Sequence, residues 1–232
     1  MNPAMTAGDT NVDLTAPVIV QAMDLPWHPS PSPTVWRKSL YRQGGEHGPV
    51  TSLVRYDAHS RFAGHVHPEG EEILVLDGVF SDERGDYPAG SFLLNPPGTG
   101  HAPFSRGGCV LFVHLRQYKG RHREKSALDT GALAWRGTPD SGVRRKLLYR
   151  QKEYPDLIAL EQWSSGVGRT LEIKEGGAEL LVLDGRVENA RRSYGPYTWF
   201  RLPENSGKWH GRSDTGCTIY LRLKKRAAFQ RK

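Results

Sequence analysis

The feature that most limits what this chain can fold into is an internal repeat. Leu25-x-Trp27 returns as Leu133-x-Trp135, and Arg37-Lys38-x-Leu40-Tyr41-Arg42-Gln43 returns as Arg145-Lys146-x-Leu148-Tyr149-Arg150-Gln151. Pro31 and Val35 recur as Pro139 and Val143, each of these pairs 108 positions apart. Leu74-Val75-Leu76-Asp77-Gly78 reappears 107 positions on as Leu181-Val182-Leu183-Asp184-Gly185, and Cys109 reappears 108 on as Cys217. A period of that length is the size of a modest domain, not of a solenoid repeat, so the 232 residues read as one unit built twice. Within each copy, short apolar runs are separated by turn residues, and 26 Gly and 16 Pro leave little room for long helices. The expected class is all-β.

Boundaries follow from composition. Residues 1–17 are small and polar and are expected to be a disordered tail; 18–118 form the first domain, opening on a strand at Val18; 119–130 is a polar, basic linker; 131–225 form the second domain, and 226–232 a basic tail. Cys109 and Cys217 sit inside apolar runs, a setting for buried thiols in a reducing compartment. No apolar run approaches a membrane span, and residues 1–15 lack the basic and apolar segments of a signal peptide, so a cytoplasmic protein is expected. The net charge of +7 raises the question of nucleic acid. The basic residues fall in short runs (Arg121-His122-Arg123, Arg191-Arg192, Lys224-Lys225-Arg226) without interleaved aromatics or zinc-finger spacing, and are expected to be solvated surface.

The chemistry concentrates between His65 and His101. His65 and His67 are two apart, so on a strand they share a face. Pro68-Glu69-Gly70 turns the chain into Glu71 and the apolar run Ile73-Leu74-Val75-Leu76. Further on, Pro96-Pro97-Gly98-Thr99-Gly100 cannot be helical and returns the chain at His101. Three imidazoles and a carboxylate suit one divalent transition metal, with zinc and iron first and manganese, nickel or copper also compatible. Glu72 competes with Glu71 as the carboxylate. Phe92 and Phe112 are expected as bulky pocket neighbours, and His114 as an outer partner of the site or a packed histidine.

The second copy lacks this set. At the 107 offset Glu172 stands for His65, Lys174 for His67 and Ala178 for Glu71; His210 answers His101 only if the loop from Pro203 carries an insertion. No second metal is expected.

The spacing of both segments resembles the two motifs of the cupin family, Gly-x5-His-x-His-x3,4-Glu-x6-Gly and Gly-x5-Pro-x-Gly-x2-His-x3-Asn. The departures are His59 at the first Gly and Ser105 at the final Asn. The resemblance implies two tandem jelly-roll barrels, the first with His65, His67, Glu71 and His101 as metal ligands. Within the cupins, His65-x-His67-Pro68-x-Gly70-Glu71-Glu72, Asp82-Glu83-x-Gly85-x-Tyr87 and Asn95-Pro96-Pro97-Gly98-x-x-His101 are similar to the ChrR-type cupin-like domain, where the equivalent residues hold zinc. The helical anti-sigma module of that family has no counterpart here. Two functions follow as expectations: a dioxygenase-like enzyme acting on a small oxygenated molecule, or a non-catalytic zinc-binding sensor. Edge pairing of such sheets makes a homodimer the expected assembly.

Overall fold

The computed structural model describes residues 8–120, 122–190 and 192–224. These are strands joined by turns, with two single-turn 3-10 helices at Ala22–Asp24 and Gly45–His47. They form two compact units, the first holding Leu25–Ala132 with the chain up to Val12, the second holding Asp13–Asp24 with the chain from Leu133.

In the first unit one sheet runs Ser126–Asp129, Ser91–Asn95, Glu71–Asp82, Cys109–Leu115, Val50–Tyr56, Val35–Arg42, His28–Pro29. Short antiparallel pairs lie beside it, His65–Val66 with Gly100–His101 and Ser60–Arg61 with Phe104–Ser105. The inner face carries Val35, Val54, Ile73, Val75, Leu111 and Val113 around Phe80. Each such side chain contributes about 1.5–3 kcal/mol on burial. The long strand Glu71–Asp82 serves two sheets: residues 71–74 pair with Ser91–Asn95 and 79–82 with Gly85–Pro88. The corner is at Gly78, with φ +70, where a Cβ would stand 2.2 Å from the Gly108 carbonyl oxygen. The second unit repeats it at Gly185, with φ +72 and 2.1 Å from the Gly216 oxygen. A bulge precedes each glycine, which explains why Leu-Val-Leu-Asp-Gly occurs twice.

The other repeated motif is also structural. Lys38 lies 4.7 Å from the Trp27 ring centroid and Lys146 4.7 Å from that of Trp135. The Tyr41 hydroxyl donates to Gln43 Oε1 at 3.0 Å, and Tyr149 donates to Gln151 at 2.9 Å.

The units do not coincide with the repeats. Val18–Gln21 is the edge strand of the second unit, pairing with Thr198–Leu202. Its counterpart 108 residues on, Ser126–Asp129, is the edge strand of the first, pairing with Ser91–Asn95. Each unit is thus edged by the strand that precedes the other repeat. The expected first domain begins at Leu25 rather than at residue 18, and the segment expected as a linker supplies a strand. Part of the expected tail is also bonded: Thr10 and Arg42 exchange two backbone hydrogen bonds of 2.8 and 3.0 Å. Polar side chains say little about backbone partners. Arg123, expected in solvent, is buried, with its guanidinium 5.2 Å from the Tyr118 ring centroid and its Nε donating to the Lys119 carbonyl. Arg121, Arg191, Lys225, Arg226 and the 226–232 tail lie outside the described residues. Both cysteines are buried free thiols. No helix among the described residues is long and apolar enough to cross a membrane.

Candidate metal centre

His65 opens the strand His65–Val66, which pairs with Gly100–His101 so that His65 lies opposite His101. The His67 amide donates to the Thr99 carbonyl at 2.8 Å, and the His67 carbonyl accepts from the Gly98 amide at 2.9 Å, tying one ligand loop to the other. Gly70, with φ +77, completes the turn, and its carbonyl accepts from the Arg116 amide at 2.9 Å. Glu71 is then delivered as the first residue of its strand.

These elements bring three imidazoles together, with one nitrogen of each of His65, His67 and His101 within 4.8 Å of the others. Ring centroids are 4.8–5.1 Å apart, and the planes are inclined by 65–77°. Glu71 flanks the group, its Oε2 3.3 Å from His67 Nε2 and 3.6 Å from His101 Nε2. Glu72 points to the other face, 3.6 Å from His114 Nδ1.

Burial, then the neighbouring imidazoles, pushes His67 down to about 3 and His101 to about 4, so both are neutral at ordinary pH, as metal ligation requires. Burial raises Glu71 to about 7 against the bond that Asn95 Nδ2 donates to its Oε2 at 3.0 Å. His65 Nδ1 lies 2.8 Å from the Ala63 carbonyl oxygen; as the donor there it leaves Nε2 with its lone pair for a ligand. Buried His67 Nε2 has no hydrogen-bond partner among the described residues. Leaving such an atom unsatisfied costs about 1–3 kcal/mol, which a metal ion would relieve. The donor set fits a transition metal.

Sequence reasoning misses the residues that hold His101. Asp82 Oδ2 lies 3.4 Å from His101 Nδ1, a charge facing the ring without a formed hydrogen bond. Arg84 bonds Asp82 at 3.2 Å and donates to the Gly100 carbonyl at 2.7 Å, while the Ala102 amide donates to Glu83 Oε2 at 3.0 Å. The hairpin tip therefore grips the ligand strand on both sides of His101. The signal lay in Asp82-Glu83-x-Gly85-x-Tyr87, without any indication of what it faced. Phe92 and Phe112 are corrections to the expected pocket, and His114 is the packed histidine rather than an outer partner of the site. Phe92 and Phe112 pair with Leu74, and His114 pairs with Glu72. Cross-strand partners share a face, so all three belong to the face opposite Glu71. The cavity beside the histidines, about 290 Å³, is lined instead by Val54, Tyr56, Phe62, Phe80 and Leu111, with Arg37, Arg42 and Arg116.

In the second unit Glu172 lies opposite Lys208 and Thr170 opposite His210. Lys208 therefore occupies the place of His101 without any insertion, and His210, expected as the possible counterpart, is exposed and bonded to Thr170. All four ligand positions are changed. Glu172 and Lys174 form an exposed ion pair of 3.1 Å, and Ala178 is in the core.

Residues 15–119 match the family model of the ChrR cupin-like domain. Solved structures of similar fold cover nearly the whole chain. A protein of Nostoc punctiforme named a "putative dioxygenase" is 14% identical, with TM-score 0.75, covering 94% of this chain and 85% of its own. The chain has a bicupin fold. The pirin YhhW of Escherichia coli, in complex with nickel(II), is 14% identical, with TM-score 0.66, covering 90% of this bicupin and 99% of its own chain. Bacillus subtilis oxalate decarboxylase, studied for its Mn(II) centres, is 10% identical, with TM-score 0.63, covering 89% and 77%. No curated protein matches the bicupin by sequence.

Proposed function

We propose that this bicupin is a metal-dependent enzyme of the dioxygenase kind, acting on a small oxygenated organic molecule. One divalent transition metal would be held by His65, His67, His101 and Glu71. The observation that carries this reading is the convergence of three imidazoles, two of them buried and held neutral, on a cavity large enough for a small ligand. Bound there, the ion supplies Lewis acidity toward a substrate oxygen and, where redox-active, a route to O2. The chain's own residues set the conditions. Asp82 and Ala63 orient His101 and His65, Asn95 holds Glu71, and the aliphatic and aromatic wall excludes water and strengthens the field at the centre. The fold-level likeness to a protein named for dioxygenase activity supports the reading. A non-catalytic zinc-binding sensor is the second reading, favoured by the ChrR cupin-like match.

Elemental analysis of protein purified without added metal is expected to find one transition metal per chain. The His67→Ala/His101→Ala double variant should hold none while keeping its circular dichroism, and a double variant that retains the metal refutes the assignment. O2 consumption on diketones or hydroxylated aromatics by iron- or copper-loaded protein supports the enzyme. Tightly held zinc without turnover supports the sensor.

A further inference from the structure

We propose that Tyr56 is a ligand-binding residue of the first unit's cavity, its hydroxyl donating a hydrogen bond to an oxygen of the bound molecule at the end away from the histidines. This role rests on the reading of the cavity as a substrate site. Tyr56 is 7% exposed and lines the cavity together with Val54 and Phe62. Its ring stands edge-on to Phe80 with centroids 5.9 Å apart, and Phe80 in turn lies 5.9 Å from the His101 ring. One aromatic ring therefore separates Tyr56 from the ligand cluster within the same wall. Among the described residues the Tyr56 hydroxyl has no hydrogen-bond partner. A buried hydroxyl left unsatisfied costs about 1–3 kcal/mol, which an acceptor on a bound molecule removes. Burial, then the charge of Glu71, raises the phenol above its ordinary value, so the group is held as an O–H donor.

The second unit meets the same requirement from within. Tyr56 pairs with Val35 and Cys109, and Trp163 pairs with their repeats Val143 and Cys217, so the two aromatics are equivalent. The Trp163 indole donates to Glu161 Oε2 at 3.0 Å, and Glu161 has no exposed surface. Two residues before Tyr56 the equivalent of Glu161 is Val54, whose side chain accepts nothing. An aromatic donor is thus kept in both units, while the acceptor beside it in the second is replaced in the first by an apolar side chain on an open cavity. The chemistry of the ligand follows. At about 290 Å³ the cavity suits a molecule of about ten non-hydrogen atoms. Such a molecule offers one oxygen to the histidine cluster and a second, carbonyl-type oxygen to Tyr56.

The test is calorimetric titration of the full-length protein, its metal content measured, with pairs of chelating probes that differ in a distal carbonyl: acetylcatechol and isopropylcatechol, diacetylacetone and butyrylacetone, vanillin and methylguaiacol. For at least one pair the carbonyl probe is expected to bind more tightly. Tyr56→Phe should shrink that ratio about three- to ten-fold, the scale of one neutral hydrogen bond, by weakening the carbonyl probe alone. Metal content and circular dichroism should not change. The proposal is overturned if no carbonyl probe outbinds its partner, or if folded Tyr56→Phe keeps the ratio. A Tyr56-dependent preference in protein that holds no metal would sink the metal reading and leave the hydrogen-bond site standing. A bound metal with no carbonyl preference does the reverse.

Discussion

At the scale of single residues, the partners of a buried polar group decide its role. In the first barrel, His101 depends on Asp82, whose carboxylate is itself fixed by Arg84 and by the Tyr87 hydroxyl at 3.3 Å. Asp82→Asn keeps the shape and removes the charge facing His101 Nδ1. Metal affinity is expected to fall about 10–100-fold with the melting temperature of the metal-free protein little changed, measured by competition with a chromophoric chelator. In the second barrel, burial would raise Glu161, but the bonds from Arg169 and Arg145 outweigh it and hold the carboxyl below its ordinary value of 4.5. A depressed carboxyl favours the fold above its unfolded pKa, and that advantage is lost as the pH falls through the folded value. Glu161→Gln is therefore expected to cost about 3 kcal/mol at pH 7 in denaturant melts, because it takes from Arg145 the carboxylate it pairs with and leaves Arg169 with Asp140 alone. The variant's stability should fall less steeply than the wild type's below pH 4.5. The four candidate ligand positions, His65, His67, Glu71 and His101, are legible in the sequence through their spacing. Asp82 is not, because only the hairpin geometry brings it to a histidine 19 residues away.

At the scale of elements, what a reader of the sequence cannot supply is register. Alternation correctly puts Phe112 and His114 on one face, but which face is decided by the pairing of their strand with Glu71–Asp82, and one residue of slip exchanges the two sets. The same holds for His210, two places beyond the ladder position that Lys208 fills. The glycine corners, by contrast, are legible as a repeated motif whose cause appears only in three dimensions. Gly78→Ala forces a side chain into the Gly108 carbonyl at positive φ, and Gly185→Ala does the same at Gly216. Each is expected to destabilise its own unit by more than about 1 kcal/mol. Since residues 79–82 carry the chain from this corner to Asp82, Gly78→Ala should also weaken metal binding, whereas Gly185→Ala should leave it unchanged. Urea midpoints and metal content of the two variants check this; equal metal loss in both would contradict the assignment of the site to one unit.

For the whole molecule, the duplication is plain in the sequence, yet cutting the chain at the repeat boundary would cut it in the wrong place. The strand before each repeat bonds the sheet edge of the other unit, so a fragment of residues 18–118 has Val18–Gln21 without its partner and leaves Ser91–Asn95 bare on one side. A bare edge presents unpaired amides and carbonyls and invites association with another chain. Composition hides this, because Lys119 to Asp129 is as polar as any linker, and four residues of edge strand need only backbone partners. A fragment of residues 25–132 carries its own edge. It is expected to be monomeric in size-exclusion chromatography and to melt at least about 5 °C above the 18–118 fragment, which should elute larger. Moving Ser126–Asp129 is the whole difference at that edge. Equal melting temperatures with both fragments monomeric would show that the strand adds nothing to the first unit and that the repeat, not the exchanged unit, is what folds.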